Sequence, residues 1–188
     1  MTSSPNIPRA ALGALLIAIV ISCAACGRSS SASSSTDSVG DGTVRVSRVV
    51  DGDTMVVDLG GGRTDRVRFI GIDTPETKSP SKPVQCFGKA ASSHTTELLS
   101  PGTEVRLERD VDERDQYGRL LAYVYRVSDG LFVNLELARD GFASLLTYPP
   151  NVAHESEFQA AVDDARSRQA GLWGQCGGPG RPASVGDP

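Results

Sequence analysis

Two short acidic turns carry the residue types from which hydrolytic chemistry can be built. Asp51-Gly52-Asp53-Thr54 leads into a β-branched run, and Asp73-Thr74-Pro75-Glu76-Thr77 directly follows one. Asp and Gly at strand ends are ordinary turn formers, so neither turn alone specifies a function. Together they offer the carboxylates of Asp53 and Asp73 and a backbone carbonyl at Thr74. Such an all-oxygen set suits a hard cation such as Ca²⁺, with waters completing the shell. The spacing does not follow the twelve-residue EF-hand loop. Pro75 fixes its own φ and restricts Thr74, so Glu76 is held at a defined offset from Asp73. A carboxylate placed beside a cation can act as general base on a water; otherwise Glu76 is an ordinary loop or helix-start glutamate.

A cation with a general base suits attack on a phosphodiester. Negative charge then develops on the non-bridging oxygens, and fixed guanidinium groups compensate it. Arg68, five residues before Asp73, and Arg119, after the tight Asp115-Gln116-Tyr117-Gly118 turn, are placed for that role. The plainer reading of each is a surface strand arginine. Arg66 and Arg68 share a face of a regular strand, and the sequence does not choose between them. His94 has no evident partner, so histidine-based catalysis is not expected.

Bulk composition narrows the binding mode. The 188 residues carry a formal charge of -4 and a pI near 5.2, which excludes a broad basic surface for nucleic acid. Any polyanion site is therefore local. Of the 19 basic residues only Lys78, Lys82 and Lys89 are lysines, and the arginine fork suits bidentate phosphate contacts.

The elements that position these groups follow from patterning. Val44 to Val50, Thr54 to Asp58 and Arg66 to Ile72 are predicted strands, with Gly60-Gly61-Gly62 as a turn. Phe87 to Leu99 has helical character and stops at Ser100-Pro101-Gly102; Thr103 to Glu108 alternates with period two. Arg119 to Arg126 forms another strand, and Val133 to Arg139 a short helix ended by Gly141. Phe158, Ala161, Val162 and Ala165 make one apolar stripe on a final helix that closes at Gly171. This order predicts an α+β, mainly β domain: a small, partly open five-stranded barrel of the oligonucleotide-binding (OB-fold) type packed with about three α-helices.

The flanks differ in composition. Arg9 precedes an apolar run from Ala10 to Ile21, too short to span a bilayer comfortably and right for a signal-peptide core. The Val20-Ile21-Ser22-Cys23-Ala24-Ala25-Cys26 segment after it resembles a bacterial lipobox, with Cys23 or Cys26 as the acylated residue; conventional cleavage near Ala24 or Ala25 is the other reading. Residues 1–26 are thus expected to be an export signal and 27–42 a Ser-rich tether. Residues 43–176 are expected to form the domain, and 177–188 a disordered tail. The product is membrane-anchored at the cell surface or secreted, touching a membrane only through the lipid. In an oxidising compartment Cys86 and Cys176 are expected to pair.

Several ordered blocks make the resemblance specific. Val50-Asp51-Gly52-Asp53-Thr54, Arg68-Phe69-Ile70-Gly71-Ile72-Asp73-Thr74-Pro75-Glu76-Thr77, Asp115-Gln116-Tyr117-Gly118-Arg119-Leu120-Leu121-Ala122-Tyr123 and Gly171-Leu172-Trp173-Gly174 resemble the staphylococcal (micrococcal) nuclease family over nearly the whole of Thr43 to Cys176. The resemblance implies a five-stranded OB-fold barrel with three helices. It also implies a monomeric, calcium-dependent endonuclease that cuts single-stranded or locally unpaired DNA and RNA and leaves 3'-phosphates. By the same resemblance Asp53 and Asp73 would hold Ca²⁺ by carboxylate and Thr74 by its carbonyl. Glu76 would activate water, and Arg68 and Arg119 would grip the phosphate. Tyr117 would sit against the nucleotide and Lys82 in the loop after the catalytic turn; Tyr148 would either offer a stacking surface or pack beside Pro149-Pro150. His154-Glu155 matches a family pair of structural character. Gln116 stands where the family has Lys, and Leu146 where an aromatic often lines the nucleotide pocket, which implies weaker nucleotide binding. A non-catalytic oligonucleotide-binding module at the cell surface is the competing class, and the retained acidic and arginine positions argue against it.

Overall fold

The computed structural model describes residues 42–78 and 83–187; the expected export segment, Cys23, Cys26, most of the expected tether and Lys82 lie outside them. In chain order the elements are β1 (Thr43–Asp51), β2 (Thr54–Gly60), β3 (Arg63–Phe69), β4 (Gly71–Asp73), α1 (Gly88–Leu98), β5 (Glu104–Glu108), β6 (Leu120–Arg126), α2 (Val133–Arg139), β7 (Ser144–Leu146), α3 (Glu155–Ser167) and α4 (Leu172–Gln175). Five strands close into a barrel in the order β1-β2-β3-β6-β5, and β4 and β7 form a separate two-stranded sheet. The barrel closes where a partly open one was expected.

Closure rests on β1. Register shifts between Val46 and Arg48 and between Val49 and Asp51 bend the strand. Its first residues therefore pair with β5, Val44 opposite Val105, while Arg45 to Asp51 also pair with β2. The β3–β6 seam is parallel, with Val67 opposite Leu120 and Phe69 opposite Ala122, and a parallel pair needs a crossover connection. The chain between them, with β4, α1 and β5, supplies it. Met55, Val57, Val67, Phe69, Leu107 and Val124 are buried in a core continuous with Leu137 of α2, Phe158 of α3 and Leu172 and Trp173 of α4.

The segment expected as one strand from Arg66 to Ile72 is divided. Gly71 has φ 85, a value that glycine adopts at little cost, and the chain turns there out of the barrel to pair Asp73 with Ser144 of β7. Buried Asn134 holds this corner: it accepts from Val124 N–H at 2.9 Å and donates to Ile70 O at 2.9 Å. The acidic turn is thereby carried on a braced edge. Strand β7 and the four-residue α4 were not expected.

Cys86 and Cys176 form a disulfide, as the sequence predicts. Beyond Cys176, where a disordered tail was expected, the chain pairs instead with the segment before α1. Cys86 N–H donates to Arg181 O at 2.9 Å and Ala183 N–H to Val84 O at 2.8 Å, with Gln85 bridged to Pro182. Composition alone missed this because Gly and Pro are compatible with an extended strap once a partner edge satisfies the backbone.

Candidate active site

The β1–β2 turn supplies the first carboxylate. Asp53 is 6% exposed, and each of its oxygens is engaged: Oδ1 accepts from Thr54 Oγ1 at 3.0 Å, Oδ2 from Thr74 N–H at 2.8 Å and Thr74 Oγ1 at 3.0 Å. Gly52 permits that approach, since a Cβ there would lie 2.6 Å from Thr74 Oγ1. From below, Thr95 of α1 donates to Gly52 O at 2.7 Å. Two turns far apart in sequence are thus locked together.

Arg68 joins them. It pairs with Thr54 across β2 and β3, next to Asp53, and only 9% of it is exposed. Its Nη1 donates to Phe69 O at 2.7 Å and Ile72 O at 2.8 Å, while Nη2 lies 3.0 Å from Asp73 Oδ1 and 3.3 Å from Asp53 Oδ2. The choice that sequence left open falls to Arg68; Arg66 is exposed on the cleft wall.

Glu76 ends the turn. Gln85 grips it through two hydrogen bonds: Glu76 N–H donates to Gln85 Oε1 at 2.9 Å, and Gln85 N–H donates to Glu76 O at 2.8 Å. The carboxylate accepts from Lys78 N–H at 2.7 Å. Gly88 lets α1 begin directly beneath, because a Cβ there would meet Glu76 O at 3.0 Å and Pro75 O at 3.1 Å.

Arg119 arrives on the parallel seam, one residue before Leu120, which pairs with Val67. Asp115 orders it: Oδ1 accepts from Arg119 N–H and Tyr117 N–H, both at 2.9 Å, and Oδ2 from Arg119 Nε at 2.6 Å. The terminal guanidinium nitrogens make no further bond to the described residues. The Tyr117 ring lies 5.5 Å from the guanidinium carbon and is 74% exposed.

One cleft of about 730 Å³ is lined by Asp53, Arg68, Asp73, Thr74, Glu76 and Arg119, and its far wall by Tyr117, Leu146 and Tyr148. Gln116 lines it also. Tyr148 is 72% exposed, open to a flat ligand rather than packed away. The arrangement can hold a phosphodiester between two arginines and beside a fixed carboxylate.

Residues 66–175, more than half of the chain, match the family described as Staphylococcal nuclease homologue. The chain belongs to the staphylococcal nuclease family. It is 45% identical over 140 residues to a thermonuclease of Staphylococcus intermedius, covering 74% of this chain and 80% of the relative. A thermonuclease of Staphylococcus hyicus is 41% identical, with 70% and 75% covered. Endonuclease YncB of Bacillus subtilis is 40% identical, with 71% of this chain and 63% of the relative covered.

Three residues of this nuclease-family site escaped the sequence reading. Asp51 lines the cleft; burial, the Asp53 charge and, less strongly, Glu76 push its carboxyl up to about 6. The i, i+2 spacing of the Asp51-Gly52-Asp53 turn was the available signal. Asp115 and Gln85 had none beyond proximity, because their roles depend on how the chain turns back. His94, expected to lack a partner, stacks on Phe142 at 4.1 Å, with Nε2 3.6 Å from Asp140 Oδ2, an ion-pair contact too long for a hydrogen bond. Its partners come from the α2–β7 segment, away from the cleft.

Proposed function

We propose that this chain is an exported, calcium-dependent nuclease that hydrolyses phosphodiester bonds in DNA and RNA, endonucleolytically and with 3'-phosphate products. The observation that supports it most is the convergence of Arg68, Glu76, Arg119 and the Asp53–Asp73–Thr74 group on one cleft. The donor chemistry fits a hard cation: the acidic turns present oxygen ligands only, and Asp51, whose carboxyl is pushed up to about 6 by burial and then by the Asp53 charge, adds a further oxygen donor beside them. The ligand set would be the carboxylates of Asp53 and Asp73, the Thr74 carbonyl and water.

Calcium bound there would polarise a phosphoryl oxygen and offset developing charge. Arg119, anchored through Nε by Asp115, directs its remaining donors to the non-bridging oxygens. Arg68 meets the phosphate beside the metal ligands. Glu76, at the offset set by Pro75 and Gln85, takes a proton from the attacking water. The new P–O bond forms as the bond to the 5'-oxygen breaks, and the departing oxygen takes a proton from solvent. Tyr117 and Tyr148 offer faces for bases of an unpaired strand, and Lys82, six residues after Glu76 in sequence, would add a positive charge. An export signal in residues 1–26 would put this activity outside the cytoplasm, and acylation at Cys23 or Cys26 would hold it on the membrane surface.

The test incubates the chain with labelled single-stranded DNA and RNA, with Ca²⁺ or with excess chelator, and reads the product ends. Cleavage is expected only with Ca²⁺ and with 3'-phosphate ends; undiminished cutting in chelator would falsify the metal assignment.

A further inference from the structure

A second cleft, of about 510 Å³, lies between α3, α4 and the C-terminal strap and shares no residue with the first. Arg166, Gln169, Trp173 and Arg181 line it, with Gly177, Gly178 and Pro179 forming its lip. Its charged groups are both cationic. The Arg166 guanidinium lies over the Trp173 ring, 4.6 Å from the centroid, and neither it nor Arg181 is paired with a carboxylate among the described residues. By contrast, Arg106, Arg109, Arg114, Arg126, Arg139 and Arg168 each hold an acidic partner. Trp173 is 5% exposed, and its indole N–H is buried without an acceptor. The ring edge at Cζ3 faces the strap, since a Cβ on Gly178 would lie 3.8 Å from it.

The strap that carries Arg181 is itself held in place. Cys176, adjacent in sequence to the lining residue Gly177, is tied to Cys86, and Arg181 O accepts from Cys86 N–H at 2.9 Å. Two guanidinium forks beside an aromatic wall, with no carboxylate in the lining, describe a receptor for a compact, multiply accepting oxyanion.

We propose that the Arg166–Trp173–Arg181 cleft is an accessory phosphate-binding site, separate from the catalytic cleft. Its ligand is a phosphate group, carried either on a nucleic-acid strand or free in solution. Phosphate oxygens accept from both guanidinium groups. A strand held there would be tethered to the enzyme by charge that its overall composition lacks.

Trp173 is the sole tryptophan, so its fluorescence reports on this site without any assay of catalysis. The full chain, in chelator, is titrated with inorganic phosphate and separately with a short single-stranded oligodeoxynucleotide, against chloride at matched ionic strength. A saturable change in Trp173 emission is expected, undiminished in Arg119→Ala and weakened about tenfold or more in affinity in Arg181→Ala, the loss of one charged hydrogen bond. Arg166→Ala should weaken it similarly, from a shifted baseline because the stacked cation is removed. Response to inorganic phosphate identifies free phosphate as a ligand, and response to the oligonucleotide alone identifies strand phosphate; either supports the site. No saturable response to either probe, or equal affinity in Arg181→Ala, overturns it. Because cleavage is not read, failure here leaves the nuclease assignment standing, and loss of that assignment leaves this result intact.

Discussion

The chemistry of the cleft depends on a few contacts too short to tolerate added atoms. Gly52→Ala would drive a methyl group into Thr74 and break its two bonds to Asp53. The expected outcome is weaker Ca²⁺ binding by calorimetric titration and lower turnover, with a stability loss of about 1–3 kcal/mol from overpacking. Glu76→Gln removes the proton acceptor and should lower kcat by roughly 10²- to 10⁴-fold with the thermal midpoint nearly unchanged. Near-normal turnover in that variant would remove Glu76 from the mechanism. Asp115→Asn tests whether Arg119 works through its anchor. Its rate loss should be smaller than that of Arg119→Ala, and the double variant should be no worse than Arg119→Ala alone. Additive losses would show that Asp115 acts by another route.

At the scale of elements, the catalytic turn is braced from outside the barrel. Gln85 holds the Glu76 backbone on one side, and on the other it is bridged to the strap at Pro182, next to the disulfide. Gln85→Ala should lower kcat while leaving KM near its original value, because the arginines proposed to bind substrate sit on β3 and beside β6. Gln85→Glu, which keeps an acceptor oxygen, should recover most of the rate. A matching rise in KM in Gln85→Ala would instead make the residue part of substrate binding. The disulfide closes a loop with a sequence separation of 90, so replacing both cysteines with serine should cost about 4–5 kcal/mol on the chain-entropy account. Denaturant unfolding of the oxidised and serine forms measures it.

Across the whole molecule, the acidic chain places several carboxylates in donor-rich surroundings that set its acid limit. Burial opposes ionisation of Asp110, but hydrogen bonds from Ala153 N–H and the Tyr123 hydroxyl outweigh it and hold the carboxyl below its ordinary 3.8. Burial likewise opposes Glu108, and hydrogen bonds from Arg106 and His154 hold it below its ordinary 4.5. A carboxyl whose folded pKa is depressed binds protons less readily than in the unfolded chain. Its contribution is therefore complete above the ordinary value and is lost as pH falls through the folded one. Asp110→Asn should be less stable than the parent at pH 7, and the difference should shrink below about pH 4. A constant difference between pH 7 and pH 3 in chemical unfolding would refute this linkage.

Much of the fold was readable because its signals are local. The Gly60–Gly62 turn, the alternation of β5 and the apolar stripe of α3 each lie within a few residues, where backbone sterics and periodicity decide the outcome. The identities and order of Asp53, Arg68, Asp73, Glu76 and Arg119 were likewise legible, since strand ends and a proline fix their offsets. Tertiary structure decided the rest. It selected Arg68 over Arg66, placed Asp51 in the crowded acidic group, gave His94 its partners, split β4 from β3 and turned the glycine-rich tail into a strap. Each of these depends on groups far apart in sequence that only closure of the barrel brings within hydrogen-bond range, as with Asp53 and Thr74, 21 residues apart, or Gly52 and Thr95, 43 apart. Local pattern sets which elements form; long-range contact sets which atoms they share.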